Sequence, residues 1–250
     1  MKVLGLVPAR AGSKGIPGKN MRELSGHPLV AYSIAAAQMS SLINRVIVST
    51  DSEAIAITAL SYGADVPFMR PVALSGDTSP DRDFVLHALA WLEEHESLPE
   101  LIVHLRPTTP LRDPETIDAA VTALSQHPDA TSLRSGHEAA ESPFKWFLRT
   151  EDGYFEALSS TLVREDYAAL PRQVVPPVYV PNGYVDVLRT ACVRSSNDIH
   201  GARILAFMTA PCVEVDTPED LGLLEYHLSV MGHPLLDALN SRTSSRSHSE

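Results

Sequence analysis

The sequence predicts an α/β fold, a mainly parallel sheet flanked by helices. Three observations carry that reading. Nearly continuous runs of Val, Ile and Leu at residues 4–7, 45–49 and 101–105 have the composition of strands buried on both faces. Amphipathic segments separate these runs. Their length suits crossover helices, which set parallel strands side by side and gather the functional loops at the carboxyl ends of the strands.

The helices can be placed in order. Val85, Ala88, Leu89 and Leu92 fall at i, i+3, i+4 and i+7, and Ile117, Ala120, Val121 and Leu124 repeat that spacing. The second set follows Asp113-Pro114, a capping residue and then a proline at the first helical position. Thr217-Pro218-Glu219-Asp220 announces a further helix, with Leu221, Leu224, Leu228 and Met231 expected on its inner face. Residues 138–184 break the rhythm: eight of the fifteen aromatic residues lie between 144 and 184, among Pro171, Pro176, Pro177 and Pro181. Such an extended segment closes over a site, packs on another subunit, or forms a satellite core under a long loop. Residues 1–137 and 185–236 remain as the core. The serine-rich tail, 237–250, has no apolar period and is expected to be disordered.

With 44% hydrophobic and 20% charged residues among 250, the chain is a soluble globular protein by composition. No run approaches the ~20 apolar residues needed to cross a bilayer, and no signal-peptide pattern follows Met1, so a cytoplasmic location is expected. A net charge of −11 works against nucleic acid or anionic membranes as partners. An anionic ligand therefore needs a local positive cluster. Cys192 and Cys212 form neither a disulfide framework nor a metal knuckle and are expected to be small buried apolar residues.

Such a cluster follows the first strand, in Arg10-Ala11-Gly12-Ser13-Lys14-Gly15-Ile16-Pro17-Gly18-Lys19-Asn20-Met21-Arg22. Arg10, Lys14, Lys19 and Arg22 supply charge, and three glycines let the backbone approach a ligand. A polyphosphate fits that combination; the alternative is a flexible basic loop. Ser13 stands where the Walker loop needs glycine, and Asn20 where it needs a hydroxyl. Gly12, Gly15 and Gly18 are spaced by three, unlike the dinucleotide fingerprint. No Gly-x-Ser-x-Gly elbow or His-Glu-x-x-His pair supports a hydrolase.

Arg10-x-Gly-Ser-Lys-Gly-Ile-Pro-x-Lys19-Asn20 resembles the signature of the cytidylyltransferases that activate sialic acid and related nonulosonic acids as CMP conjugates. Further matches follow in order: Val48-Ser49-Thr50-Asp51, Val66-Pro67-Phe68-Met69-Arg70-Pro71, Asp77-Thr78-Ser79, Arg106-Pro107-Thr108-Thr109-Pro110-Leu111-Arg112, Pro171-Arg172-Gln173, Asn182-Gly183, and Glu214-Val215-Asp216-Thr217. They run from residue 4 to about residue 228, nearly the whole chain.

The resemblance implies a Rossmann-like nucleotidyltransferase fold with a small dimerisation insertion at 138–184, hence a homodimer. It implies transfer of CMP from CTP to a small acidic acceptor, with release of pyrophosphate. The nucleotide-binding candidates are Arg10, Ala11, Gly12, Ser13, Lys14 and Lys19 for the phosphates, and Asn20 and Arg70 toward ribose and cytosine. Thr78 and Ser79 complete the base pocket. Arg70 has a simpler alternative, a surface ion pair. Arg10, Lys19 and Asp216 are the catalytic candidates.

Glu214 and Asp216 alternate with Val213 and Val215, so a strand there would turn both carboxylates to the cleft and both valines to the core. Two such oxygen ligands suit Mg²⁺. The family pattern has Asp in both places, which makes Asp216 the firmer ligand. The alternative for Asp216 is to cap the helix that follows.

Acceptor-binding candidates are Arg106, Thr108, Thr109, Lys145, Arg172, Asn182 and Tyr184. Sialic-acid-activating members resemble Gln where this chain has Arg106, and Ala where it has Tyr184. A guanidinium clamps a carboxylate or phosphonate with parallel bonds, and an inward phenol would shrink the pocket. The expected acceptor is therefore more anionic or smaller: a nonulosonic acid, a ketodeoxy sugar acid, or a small phosphonate of natural-product biosynthesis. A GTP-using relative and a non-catalytic nucleotide-binding module are the competing readings.

Overall fold

Strand β1 (Val3–Pro8) lies inside a six-stranded sheet. The computed structural model describes residues 1–13, 15–163 and 167–246. After β1 come the short pair β2 (Glu23–Leu24) and β3 (His27–Pro28), α1 (Leu29–Met39), β4 (Arg45–Ser49), α2 (Glu53–Ser61) and α3 (Asp81–His95). Next are β5 (Leu101–His104), α4 (Pro114–Gln126), β6 (Ser132–Glu138), the hairpin strands β7 (Phe147–Arg149) and β8 (Phe155–Ala157), and α5 (Leu158–Val163). The chain continues with β9 (Tyr179–Arg189), α6 (Thr190–Ser195), β10 (Ile204–Met208), α7 (Pro218–Met231) and α8 (Pro234–Arg246).

The sheet order is β10-β6-β9-β5-β1-β4. Only β9 runs against its neighbours, β5 and β6; the other pairings are parallel, as expected. Strand parity sorts side chains between two layers. Val3, Val7, Val46, Val48, Leu101, Val103, Val185 and Val187 face α1, α4, α7 and α8. Leu4, Leu6, Ile47, Ile102 and Leu188 face α3 and α6.

The expected helices follow their periodicity. Val85, Ala88, Leu89 and Leu92 are buried in α3, and Ile117, Ala120, Val121 and Leu124 in α4. Asp113 caps α4, its carboxylate accepting from the Glu115 N–H at 3.0 Å. Thr217 and Asp220 form a reciprocal capping box on α7. Met231 departs from its expected place: α7 ends there, and the side chain is exposed. No described helix is long and apolar enough to cross a membrane.

Three further expectations are corrected. Residues 237–246 are not disordered but continue α8, because Leu235 and Leu239 dock in the core and Asn240 Oδ1 meets His27 Nε2 at 3.0 Å. The flanks of the 138–184 insertion belong to the sheet: Glu138 pairs with Tyr179 and His137 with Val180. The projecting part is correspondingly shorter. Both cysteines are half-buried instead of buried.

His104, at the end of β5, is buried with neither ring nitrogen hydrogen-bonded among the described residues. Complete burial, reinforced by Arg106, pushes its pKa down to about 3. Below its ordinary pKa, near 6.5, the unfolded imidazole binds a proton that the folded one refuses. Its stabilising contribution is therefore full above pH 6.5 and declines as pH falls, by up to about 1.4 kcal/mol per pH unit. Urea denaturation between pH 7 and pH 5 should show this decline, shallower in His104→Leu; equal slopes would exclude His104 as the cause.

Candidate functional site

Stretches far apart in sequence meet beyond the carboxyl ends of β1, β4 and β5, around a cavity of about 550 Å³. The loop after β1 contributes Arg10, Ser13, Gly15, Lys19 and Asn20. The segment before α3 contributes Arg70, Thr78 and Ser79, and α3 itself Asp81 and Phe84. The loop after β5 adds Arg106 and Thr108.

The loop after β1 holds its shape through its own bonds. Gly18 sits at φ +66°, a left-handed conformation that suits glycine, and Lys19–Met21 then makes one 3₁₀ turn. Asn20 Nδ2 donates to the Arg10 carbonyl at 2.9 Å, so this candidate braces the loop as well as lining the cavity. Ala11 and Gly12 are exposed and do not line the cavity; the Ala11 N–H is already taken by Asp51 Oδ1 at 2.8 Å. Lys14 lies outside the described residues.

The cationic loop and the acidic segment near residue 215 meet, as their chemistry requires. Lys19 Nζ donates to Asp216 Oδ1 at 2.9 Å and to the Val215 carbonyl at 2.6 Å. A Cβ added to Gly15 would lie 2.8 Å from the Asp216 carbonyl oxygen, so the two backbones are in direct contact. Residues 213–216 form no strand, yet the expected alternation holds: Val215 is buried and Glu214 and Asp216 are exposed. The Val215 N–H donates to the Thr108 carbonyl at 2.7 Å, which fixes the segment against the loop after β5. Glu214 Oε1 accepts from the Thr108 hydroxyl at 3.0 Å. Thr217, not Asp216, caps α7.

Every described lysine or arginine on the cavity wall has an internal partner. Arg10 Nη1 pairs with Asp77 Oδ1 at 2.8 Å and Lys19 with Asp216. Arg106 bridges Asp81 at 2.8 Å and Asp186 at 3.0 Å. Arg70 is no surface ion pair. It is buried, donates from Nε to Ser49 Oγ at 3.0 Å, and lies 4.6 Å from the centroid of Phe84, a cation–π contact. Burial pulls its pKa down to about 10, which leaves it charged at neutral pH.

Several expected acceptor residues do not line this cavity. Asn182 is locked in a bulge of β9: the Ser135 hydroxyl donates to its Oδ1 at 2.8 Å, and its Nδ2 donates to Thr209 Oγ1 at 2.7 Å. Tyr184 turns away, its phenol oxygen accepting from the Asp113 N–H beside a second cavity that also holds His227 and His233. It cannot shrink the first one. Thr109 is buried beneath the wall. Lys145 and Arg172 sit on the projecting segment, and neither lines the cavity.

Sequence reasoning missed Asp81, Asp186 and the structural role of Arg112. Asp186 was detectable as one charge inside the apolar run Val185-Asp186-Val187-Leu188, since a buried charge demands a partner. Arg112 is fully buried and donates to the carbonyls of Arg106 (2.7 Å), Gly183 (3.1 Å) and Tyr184, and to Ser33 Oγ (2.9 Å).

A family model described as Cytidylyltransferase matches residues 4–167. The CMP-N,N'-diacetyllegionaminic acid synthase of Legionella pneumophila is 46% identical over 121 residues, covering 48% of this chain and 52% of that protein. The N-acylneuraminate cytidylyltransferase of Escherichia coli O18:K1:H7 is 42% identical over 210 residues, 83% of this chain and 47% of that protein. The chain spans about half the length of these relatives. A solved CMP:2-keto-3-deoxy-manno-octonic acid synthetase complexed with CTP shares the fold, with a TM-score of 0.69 over 92% of this chain and 99% of that one, at 16% identity.

Arg112→Leu should orphan two part-buried carbonyls, those of Gly183 and Tyr184, at about 1–3 kcal/mol each, while the Arg106 carbonyl keeps the Thr109 N–H and the Ser33 hydroxyl. The expected result is a loss of at least about 2 kcal/mol in urea denaturation. Arg112→Lys should recover little, because a point charge cannot span the same acceptors. Near wild-type stability in either variant would refute this role.

Proposed function

Because the chain belongs to the cytidylyltransferase family, we propose that it transfers CMP from CTP to a hydroxyl of an acidic sugar acceptor of the nonulosonic class, releasing pyrophosphate. The observation that carries this reading is the convergence of Arg10, Ser13, Lys19 and Thr108 at one cavity, with Asp216 bonded to Lys19 from outside its lining. The names of the relatives favour a sugar acid over a small phosphonate, and cytosine over guanine.

In this reading the triphosphate lies along the loop after β1, and its oxygens take Arg10 and Lys19 over from Asp77 and Asp216. Arg70 and Phe84 with Thr78 and Ser79 border the nucleoside end. The acceptor hydroxyl gives up its proton to solvent, its oxygen bonds to the α-phosphorus, the bond from that phosphorus to the bridging oxygen breaks, and pyrophosphate leaves with that oxygen and its electrons. Positioning and charge stabilisation are the protein's share of such a transfer. Lys19 is held in place for it by its bond to the Val215 carbonyl.

Mg²⁺ belongs to the same reading. The Asp216 side chain is 69% exposed with one oxygen on Lys19, and Glu214 stands beside Thr108. Two exposed carboxylates on one short segment suit an ion that completes its shell with water and phosphate oxygens. When bound, the ion neutralises charge at the phosphates.

The projecting segment is read as a dimerisation element, since Trp146, Phe147, Tyr154 and Phe155 are all exposed on it. Lys145 and Arg172 on that segment are anion candidates in the dimer. A cytoplasmic location accords with CTP as substrate.

Pyrophosphate release should depend on CTP, Mg²⁺ and a nonulosonic acid such as N-acetylneuraminic acid. Lys19→Ala should lower it by about 10²-fold with the fold retained. No release with any acid of a nonulosonic and ketodeoxy panel, or equal release from GTP, would refute the proposal.

A further inference from the structure

Among the described cavity cations, Arg106 is the one met by two carboxylates. The parity of β5 explains why. Ile102 and His104 face the α3 layer, and two residues on Arg106 reaches the same side, where α3 begins with Asp81. Across the sheet, Asp186 of β9 stands opposite His104.

The two carboxylates differ. Asp186 is fully buried; one oxygen accepts from Arg106 Nη1, and the other lies 3.7 Å from Arg134 Nε. Asp81 is 43% exposed on the cavity wall. Its Oδ2 accepts from Arg106 Nη2, and its Oδ1 has no hydrogen-bond partner among the described residues. A third carboxylate approaching Arg106 would have to sit beside Asp81, an unfavourable like-charge contact. This corner therefore offers a ligand a fixed carboxylate more readily than a guanidinium.

We propose that Asp81 is a specificity-determining residue that accepts a hydrogen bond from a hydroxyl or N–H of the substrate, with Arg106 as its positioning residue and Asp186 as the anchor. This rests on the transferase reading, and it reverses the expectation that Arg106 clamps an acceptor carboxylate. Burial works to raise the Asp81 pKa, but the neighbouring His104 and the Arg106 guanidinium outweigh it and hold the carboxyl below its ordinary range. Since His104 is itself neutral at pH 7, Arg106 is the partner that keeps Asp81 ionised. An ionised carboxylate only accepts, and it binds donors more strongly than a neutral group does. Three parts of the substrates carry such donors: the 4-amino group of cytosine, the ribose of CTP, and the hydroxyl and acylamino groups of a sugar-acid acceptor.

The test compares wild type, Asp81→Asn and Asp81→Glu. Calorimetry measures the Kd of CTP and of 2'-deoxy-CTP, and pyrophosphate release measures KM for N-acetylneuraminic acid. Asp81→Asn should weaken one substrate by about tenfold or more, with the urea midpoint kept and partial rescue in Asp81→Glu. Weaker CTP binding assigns the donor to the nucleotide: to the ribose where the preference over 2'-deoxy-CTP is lost, and to the cytosine 4-amino group where that preference is kept. A raised acceptor KM alone assigns it to the acceptor. Unchanged constants overturn the proposal. So does a lowered acceptor KM, which would mean that Arg106 is the clamp and Asp81 its competitor. If Asp81→Asn does not fold, Asp81→Ser supplies the same comparison. A wild-type protein that binds no CTP would instead remove the transferase reading, and this inference with it.

Discussion

A buried guanidinium with no carboxylate partner among the described residues holds the centre of this protein together. Arg112 is fully buried, and burial pulls its pKa down to about 10, yet it remains charged at neutral pH. Its charge is met by carbonyl dipoles and one hydroxyl. Only arginine presents enough donors in a fixed plane to reach α1, the loop after β5 and the bulge of β9 at once. That arrangement sets where the backbone of Arg106 stands, and so the corner of the cavity where Asp81 and Asp186 meet.

From that corner outward, the cavity is built of opposed charges. A chain with a net charge of −11 needs a local cationic cluster to hold a phosphate, and the loop after β1 provides one. Arg10 and Lys19 each hold a carboxylate as well, from Asp77 and Asp216. Arg10 and Lys19 are thus fixed by internal partners, and in the proposed function a polyanion exchanges one set of negative partners for another. Preorganised charge of this kind needs little rearrangement when the reaction begins.

Much of the fold was legible because its causes are local. Apolar runs gave the strands at 45–49 and near 4 and 101, and the i, i+3, i+4, i+7 spacing gave α3 and α4. Asp113-Pro114 and Thr217-Pro218 marked helix starts through capping chemistry that needs only a few neighbouring residues. The failures have equally physical reasons. The tail from 237 looked disordered because its few leucines make sense only against the core, where Leu235 and Leu239 dock. The family resemblance placed Asn182 and Tyr184 toward the acceptor; the bulge that redirects the side chains of β9 away from the cavity leaves no periodic trace in sequence.

By itself, the sequence determined the alternation of strand and helix, the loop of glycines and cations, and the alternating valines and carboxylates at 213–216, since each follows from residues adjacent along the chain. Only the tertiary structure decided which charges face one another: Lys19 with Asp216, Arg106 between Asp81 and Asp186, and Arg112 among carbonyls. Those partners lie up to 197 residues apart. Electrostatic and hydrogen-bonding energies depend on distances in space, which strand order and register create and which composition does not contain.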